Sequence, residues 1–183
     1  MGIEWRAGAL AVVMTALSGV ASAQQDGRMT GLKLDGDQPI QIESDRLEVR
    51  ENDGVAVFTG NVAVVQGPTL LRSGRMTVHY AQGGDGSVTT GSADIERIEV
   101  EGKVYLRSEK QVATGDRGTF DMRSEVMVLS GAEVVLSEGD NVIVGCKLTV
   151  QMRTGLAQLD GCGGSGAGGR VKMLLKPSSQ QDR

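Results

Sequence analysis

The chain has 183 residues, a formal net charge of -4 and 27 glycines against 3 prolines, with 39% hydrophobic, 23% charged and 3% aromatic residues. That composition describes one folded domain and excludes disorder, and its mild acidity leaves no basic footprint for a nucleic-acid partner. One histidine, His79, and two cysteines, Cys146 and Cys162, leave too little for a metal centre or a nucleophilic triad, so neither cofactor nor enzymatic activity is expected.

Residues 1–23 read as a secretory signal: Arg6 closes a short amino-terminal region, residues 7–20 are apolar, and Ala21-Ser22-Ala23 matches the small-x-small cleavage pattern. Cleavage is expected before Gln24, which places the mature chain in the periplasm. A retained anchor is the alternative, although spanning a bilayer takes about 20 apolar residues. Residues 24–38 follow as a flexible segment.

From residue 39 apolar side chains recur at a spacing of two: Ile40/Ile42, Leu47/Val49, Val55/Val57, Val62/Val64, Met76/Val78, Val104/Leu106, Phe120/Met122, Val126/Val128, Val134/Leu136, Val142/Val144 and Leu148/Val150. Such alternation predicts half-buried strands, and the dominance of stiff, branched valine suits a pleated surface. Turn clusters at Asn52-Asp53-Gly54, Gln66-Gly67-Pro68, Gly83-Gly84-Asp85-Gly86, Glu138-Gly139-Asp140-Asn141 and Thr154-Gly155 separate the runs. Their spacing calls for hairpins, so the fold is all-β with roughly 12 to 16 antiparallel strands over 39–160.

A repeat orders these strands. Gly60-Asn61-Val62, Gly102-Lys103-Val104 and Gly131-Ala132-Glu133-Val134 each open an alternating run, and Gly74, Gly115 and Gly145 follow each at a similar interval. A repeated strand pair buries its apolar face only by stacking on its neighbours. Tight bends or bulges account equally well for glycine at recurring strand entries.

The segments Ile42-Glu43-Ser44-Asp45-Arg46-Leu47-Glu48-Val49, Phe58-Thr59-Gly60-Asn61-Val62, Ile95-Glu96-Arg97-Ile98-Glu99-Val100-Glu101-Gly102-Lys103-Val104 and Leu129-Ser130-Gly131-Ala132-Glu133-Val134 resemble the OstA-like domain of the LptA family over residues 38–160. The resemblance implies an incomplete, twisted β jelly roll that carries lipopolysaccharide by its acyl chains. It also implies edge-to-edge self-association, in a bridge from an inner-membrane-anchored LptC-like protein to the amino-terminal domain of an outer-membrane LptD-like translocon. An unanchored first segment distinguishes this carrier from the anchored member of the same pathway.

In such a fold the inward positions form an apolar groove, for which Val62, Val64, Met76, Val78, Val104, Leu106, Phe120, Met122, Val134, Leu136, Leu148 and Val150 are the candidates. Each buried methylene contributes about 0.8 kcal/mol, so a chain of about a dozen carbons gains on the order of 10 kcal/mol before ordering costs. An ordinary packed core is the alternative, and with it a structural scaffold that polymerises through its edges without lipid. Alternation gives the inward face without saying whether the interior is vacant.

Exposed sheet edges are the second requirement, since unpaired backbone groups accept another chain's strand. The candidates are residues 40–49 at one end and 156–159 or 171–175 at the other. Residues 161–183 read as a glycine-rich linker with a possible last strand at 170–175. Within it Gly161, Gly163 and Gly166 spell a dinucleotide-like pattern, but no helix follows to receive a pyrophosphate.

A three-residue turn at Arg153-Thr154-Gly155 places Cys146 directly opposite Cys162, and an exported chain with an even cysteine count favours the disulfide. Arg72, Arg75, Lys103 and Arg107 are candidates for lipid phosphates at the groove rim. His79 reads as a surface or interface histidine, and Asp94, Glu96, Glu99 and Glu101 read as a wet outer face.

Overall fold

The computed structural model describes residues 39–81, 86–163 and 169–176. The expected signal over 1–23 and the segment 24–38 lie outside the described residues, as do parts of the glycine-rich tail.

The described chain is built from strands. In order they are β1 (Gln41–Glu43), β2 (Arg46–Arg50), β3 (Val55–Gln66), β4 (Thr69–Tyr80), β5 (Ile95–Ser108), β6 (Gln111–Asp121), β7 (Val126–Glu138), β8 (Asn141–Gln151), β9 (Leu156–Asp160) and β10 (Lys172–Leu174). A single 3-10 turn at Glu51–Asp53 interrupts the β structure. All pairings are antiparallel and follow chain order from β3 to β8. Two-residue turns at Gly67-Pro68, Glu109-Lys110 and Gly139-Asp140 close the β3–β4, β5–β6 and β7–β8 hairpins. Their first residues have positive φ, the conformation that matches strand twist in a short hairpin.

The described residues form 10 strands, fewer than the roughly 12 to 16 expected, because each long strand serves twice. The ladder slips register between Thr59 and Val62, Arg72 and Arg75, Glu101 and Val104, Thr114 and Arg117, and Ser130 and Val134. These slips align across the sheet into a crease. The surplus residues fall on β3, β5 and β7, at the three repeated glycine motifs, and a bulge of this kind bends a strand and increases its twist.

Two successive residues on β3, Gly60 and Asn61, take φ of 80° and 46°, and two on β5, Gly102 and Lys103, take 82° and 57°. At Gly102 an added Cβ would sit 3.3 Å from the Gly74 Cα on the neighbouring strand, so two backbones meet there without side chains between them. On the edge, Asp45 takes the Gly60 carbonyl through its N–H at 2.9 Å and accepts from the Asn61 side-chain amide at 2.9 Å. Asp116 repeats this on β6, its carboxylate accepting the Ala132 N–H at 2.7 Å.

The crease divides the sheet into two halves. In half A one inward row runs Ile42, Val64, Leu71, Leu106, Ala113, Leu136, Ile143 and Met173. In half B the matching row runs Leu47, Phe58, Met76, Val100, Gly118, Leu129, Leu148 and Leu159. The two faces share one apolar interior: Val134 from half A is 0% exposed and Leu148 from half B 1%, which a sheet face without a facing layer cannot reach. The result is an incomplete, folded jelly roll whose edges are β1 and β2 on one side and β9 and β10 on the other. Edge side chains Ile40, Leu47, Leu156, Met173, Leu174 and Leu175 are at least half exposed.

Residues 87–89, ahead of β5, fold back onto the 3-10 turn at Glu51–Asp53. The Glu51 carboxylate receives the Val88 N–H at 3.1 Å, the Thr89 N–H at 3.0 Å and the Thr89 hydroxyl at 2.7 Å. Those hydrogen bonds, the Thr89 hydroxyl first, hold the Glu51 carboxyl below its ordinary pKa.

Candidate functional site

The interior holds a cavity between the two half-sheets. Towards the β7–β9 edge Leu129, Leu148 and Leu159 stand side by side in one row and belong to the same apolar cluster as Val134 and Leu136. Towards the β1–β6 side the half-B row carries Val100 and Gly118 in place of leucines, and a cavity of about 460 Å³ remains, a volume within the usual range of small-molecule sites. Half A contributes Ile40, Ile42, Val64, Leu71, Val104 and Leu106 to its wall, and half B contributes Met76, Val78, Ile98, Val100, Phe120 and Met127. The half-exposed Ile40 and its neighbour Ile42 belong to both this wall and the β1 edge, so the cavity reaches the surface there.

Of the candidate groove residues, Val64, Met76, Val78, Val104, Leu106, Phe120 and Met122 line this cavity. Val62, Val134, Leu136, Leu148 and Val150 are not among its lining residues; they are buried in the apolar cluster to which Met76, Val78, Val104 and Leu106 also belong. Leu71, Tyr80, Ile95, Ile98, Val100, Met127, Leu129 and Met152 line the cavity without having been singled out. Their strand register with the named positions was the available signal, and it required knowing which strands pair.

Polar lining is sparse. Tyr80 stands in the wall, and burial raises its phenol pKa. Arg72, Arg75, Lys103 and Arg107 are exposed and outside the cavity wall, so they do not form its rim. The physical reason is parity, because Arg72 and Arg75 alternate with the inward Leu71 and Met76 and therefore point away. His79 lies on the same outer face, its Nε2 3.5 Å from Glu99, which also pairs with Arg97 at 3.1 Å. No group of three His, Cys, Asp or Glu side chains able to hold a metal occurs among the described residues.

Comparison with known proteins decides which family this architecture represents. The family described as LptA/(LptD N-terminal domain) LPS transport protein matches residues 41–156, which is more than half of the chain. The chain belongs to this family.

An uncharacterised protein of Rhizobium meliloti (strain 1021) is 54% identical over 177 residues, covering 94% of this chain and 92% of that protein. The lipopolysaccharide export system protein LptA of Escherichia coli (strain K12) is 29% identical over 153 residues, covering 81% and 77%. Among solved structures, that of LptH from Pseudomonas aeruginosa matches with a TM-score of 0.61 at 22% identity, over 76% of this chain and 96% of that one. Members of the LptA family are transport proteins, and the chain is accordingly a lipopolysaccharide transport protein rather than an enzyme.

The match to the LptA family ends at residue 156, so the bridge at Cys162 and strand β10 lie beyond it. Cys146 and Cys162 are disulfide-bonded with Cα atoms 4.9 Å apart. The hairpin that brings them together differs from expectation. Gln151 pairs with Leu156, so the connection holds Met152, Arg153, Thr154 and Gly155, and the ladder ends at Lys147 and Asp160. Cys146 therefore lies opposite position 161, and the bridge reaches one residue further along. The longer turn forms because Gly155, at φ of 70°, returns its N–H to the Gln151 carbonyl at 2.8 Å while the Met152 N–H bonds the Glu125 carbonyl at 2.9 Å.

The bridge ties the end of β9 to β8 before the chain crosses from half B to half A. A 16-residue separation corresponds to roughly 3 kcal/mol in the loop-entropy account. Reduction, or Cys146→Ser with Cys162→Ser, is therefore expected to lower the free energy of urea unfolding by about that amount. An unchanged urea midpoint would show that the bridge adds nothing.

Proposed function

We propose that this protein is a periplasmic carrier that shields lipopolysaccharide acyl chains in the cavity between its two half-sheets. It works as one link of a bridge between the inner and outer membranes. The observation that carries this reading is the apolar cavity between the two half-sheets, open to the surface beside Ile40 and Ile42. Its size and lining suit alkyl chains, each methylene of which gains about 0.8 kcal/mol on burial. The sequence reading of an exported chain supports the compartment, as does the description of LptH as a periplasmic component of a lipopolysaccharide transport device.

The bridge is proposed to run through the two edges. Strands β1 and β2 at one end, β9 and β10 at the other, end the sheet with unpaired backbone groups and exposed apolar side chains, the features that favour strand addition. An inner-membrane-anchored LptC-like protein, further copies of this chain and the amino-terminal domain of an LptD-like translocon are the partners for these edges.

A photo-crosslinking residue at Val78, in the cavity wall, is expected to label lipopolysaccharide in cells. The same residue at Leu148, buried and outside the cavity lining, should not. Absence of lipid labelling at Val78, Val64 and Leu106 alike would favour a scaffold that assembles through its edges without cargo.

A further inference from the structure

The two edges of the sheet match each other strand for strand. Both halves share β3 to β8; β1 and β10 complete half A, and β2 and β9 complete half B, so each half ends after the same number of strands. Because every pairing is antiparallel, β10 runs opposite to β1 and β9 runs opposite to β2. A second copy displaced along the sheet therefore brings its β1 and β2 beside β10 and β9 in the antiparallel sense. Strand β10 lies beyond the residues matched by the LptA family. Without it half A would end one strand short of half B, on β8, which runs parallel to β1.

The charges follow the same pattern. On the outer face of half B one register row places Arg46, Arg75, Arg117 and Lys147 on β2, β4, β6 and β8, with Thr59, Glu101, Ser130 and Asp160 on the strands that alternate with them. Basic residues thus alternate with hydroxyls and carboxylates, and the row begins on Arg46 and ends on Asp160. Continued into a second copy, it sets Asp160 opposite Arg46. The half-A row that begins on Glu43 ends on Lys172, with the signs exchanged. On the inward face the same placement sets Met173 against Ile42 and Leu159 against Leu47.

The Gln41 and Gln158 amides donate to Glu43 and Asp160 at 2.8 Å, and a carboxylate with about four acceptor sites retains others for a second partner. A slip of one residue would turn the inward apolar side chains to the outer face. A slip of two sets Asp160 against Glu48 in one direction, which repels, and against Ser44 in the other, which loses the ion pair.

We propose that the pairs Asp160–Arg46 and Lys172–Glu43 fix the register and direction in which one copy of this chain joins the next. This selectivity rests on the reading of the two edges as assembly surfaces and assigns the side chains that make one edge specific for the other.

The test is sedimentation velocity at low ionic strength of the chain from Gln24 onward, with two reversed variants, Asp160→Arg and Arg46→Asp. Alone, each variant sets like charges across the contact and should self-associate about five- to ten-fold more weakly than wild type, since opposite charges across strands favour pairing and like charges oppose it. An equimolar mixture should recover wild-type association, because every contact between the two variants again joins opposite charges. Lys172→Glu mixed with Glu43→Lys should behave in the same way and tests half A. Mixing cannot repair a misfolded variant, so the rescue separates edge recognition from damage to a strand. Wild-type association should also weaken several-fold in about 1 M salt, where charges are screened beyond about 3 Å.

Mixtures that associate no better than the single variants would overturn the register and leave edge assembly standing. So would single variants that associate as wild type does, or wild-type association indifferent to salt. A wild-type chain that stays monomeric at every concentration would overturn the edge reading itself.

Discussion

Leu71→Trp should reduce lipopolysaccharide binding at least ten-fold, a loss of about 1.4 kcal/mol or more, while leaving the β-sheet and its unfolding midpoint close to wild type. Leu71 stands in the middle of the half-A row between Val64 and Leu106, and all three line the cavity. An indole there extends into vacant space and displaces the guest without meeting a packed neighbour. Enlarging Val134, 0% exposed in the filled part of the same interior, should instead unfold or distort the protein, since overpacking a close-packed core costs about 1 to 3 kcal/mol. Titration of both variants with labelled lipopolysaccharide, alongside urea unfolding, checks the pair. Wild-type affinity in a folded Leu71→Trp protein would mean that the acyl chains lie elsewhere.

Gly102→Val should damage the crease, lowering stability by about 3 kcal/mol or more. A branched residue in left-handed backbone costs on the order of 1 to 3 kcal/mol, and φ at this position is 82°. To that is added the approach of the Gly74 backbone, whose Cα lies 3.3 Å from where the new Cβ would sit. Backbone cannot step aside as a flexible side chain does.

Gly155→Ala provides the comparison: φ is 70° there, yet nothing lies within 4 Å of the added carbon, so only the conformational cost of about 1 to 2 kcal/mol applies. Unfolding midpoints of the two variants separate strain from contact. If Gly102→Val proved no worse than Gly155→Ala, the close approach of β4 and β5 would not be what holds the crease.

Much of this architecture was legible along the chain. Valine alternation marked the strands, and the glycine motifs at 60, 102 and 131 marked the bulges at which β3, β5 and β7 turn from one half-sheet into the other. Counting roughly 12 to 16 strands amounted to counting half-strands: a run of alternation broken by a bulge looks the same as two strands separated by a turn. The hairpin at Thr154-Gly155 was placed correctly, but its register was one residue off. Turn length there depends on the Met152 N–H bonding Glu125 in a neighbouring loop, a contact remote in sequence.

What the residue order determined alone is local: the period of two, the bends, the tight turns and the membership of the LptA family carried by motifs at those bends. What only the tertiary structure decided is where the interior is empty. Val78 and Val150 carry the same side chain at the same phase of the same pattern, and they even share one row across half B. Both are buried in the same apolar cluster, and only Val78 lines the cavity, because vacancy depends on the summed sizes of the side chains that two folded halves bring face to face. Those neighbours are distant in sequence and are chosen by the crease, so no property of either valine records them.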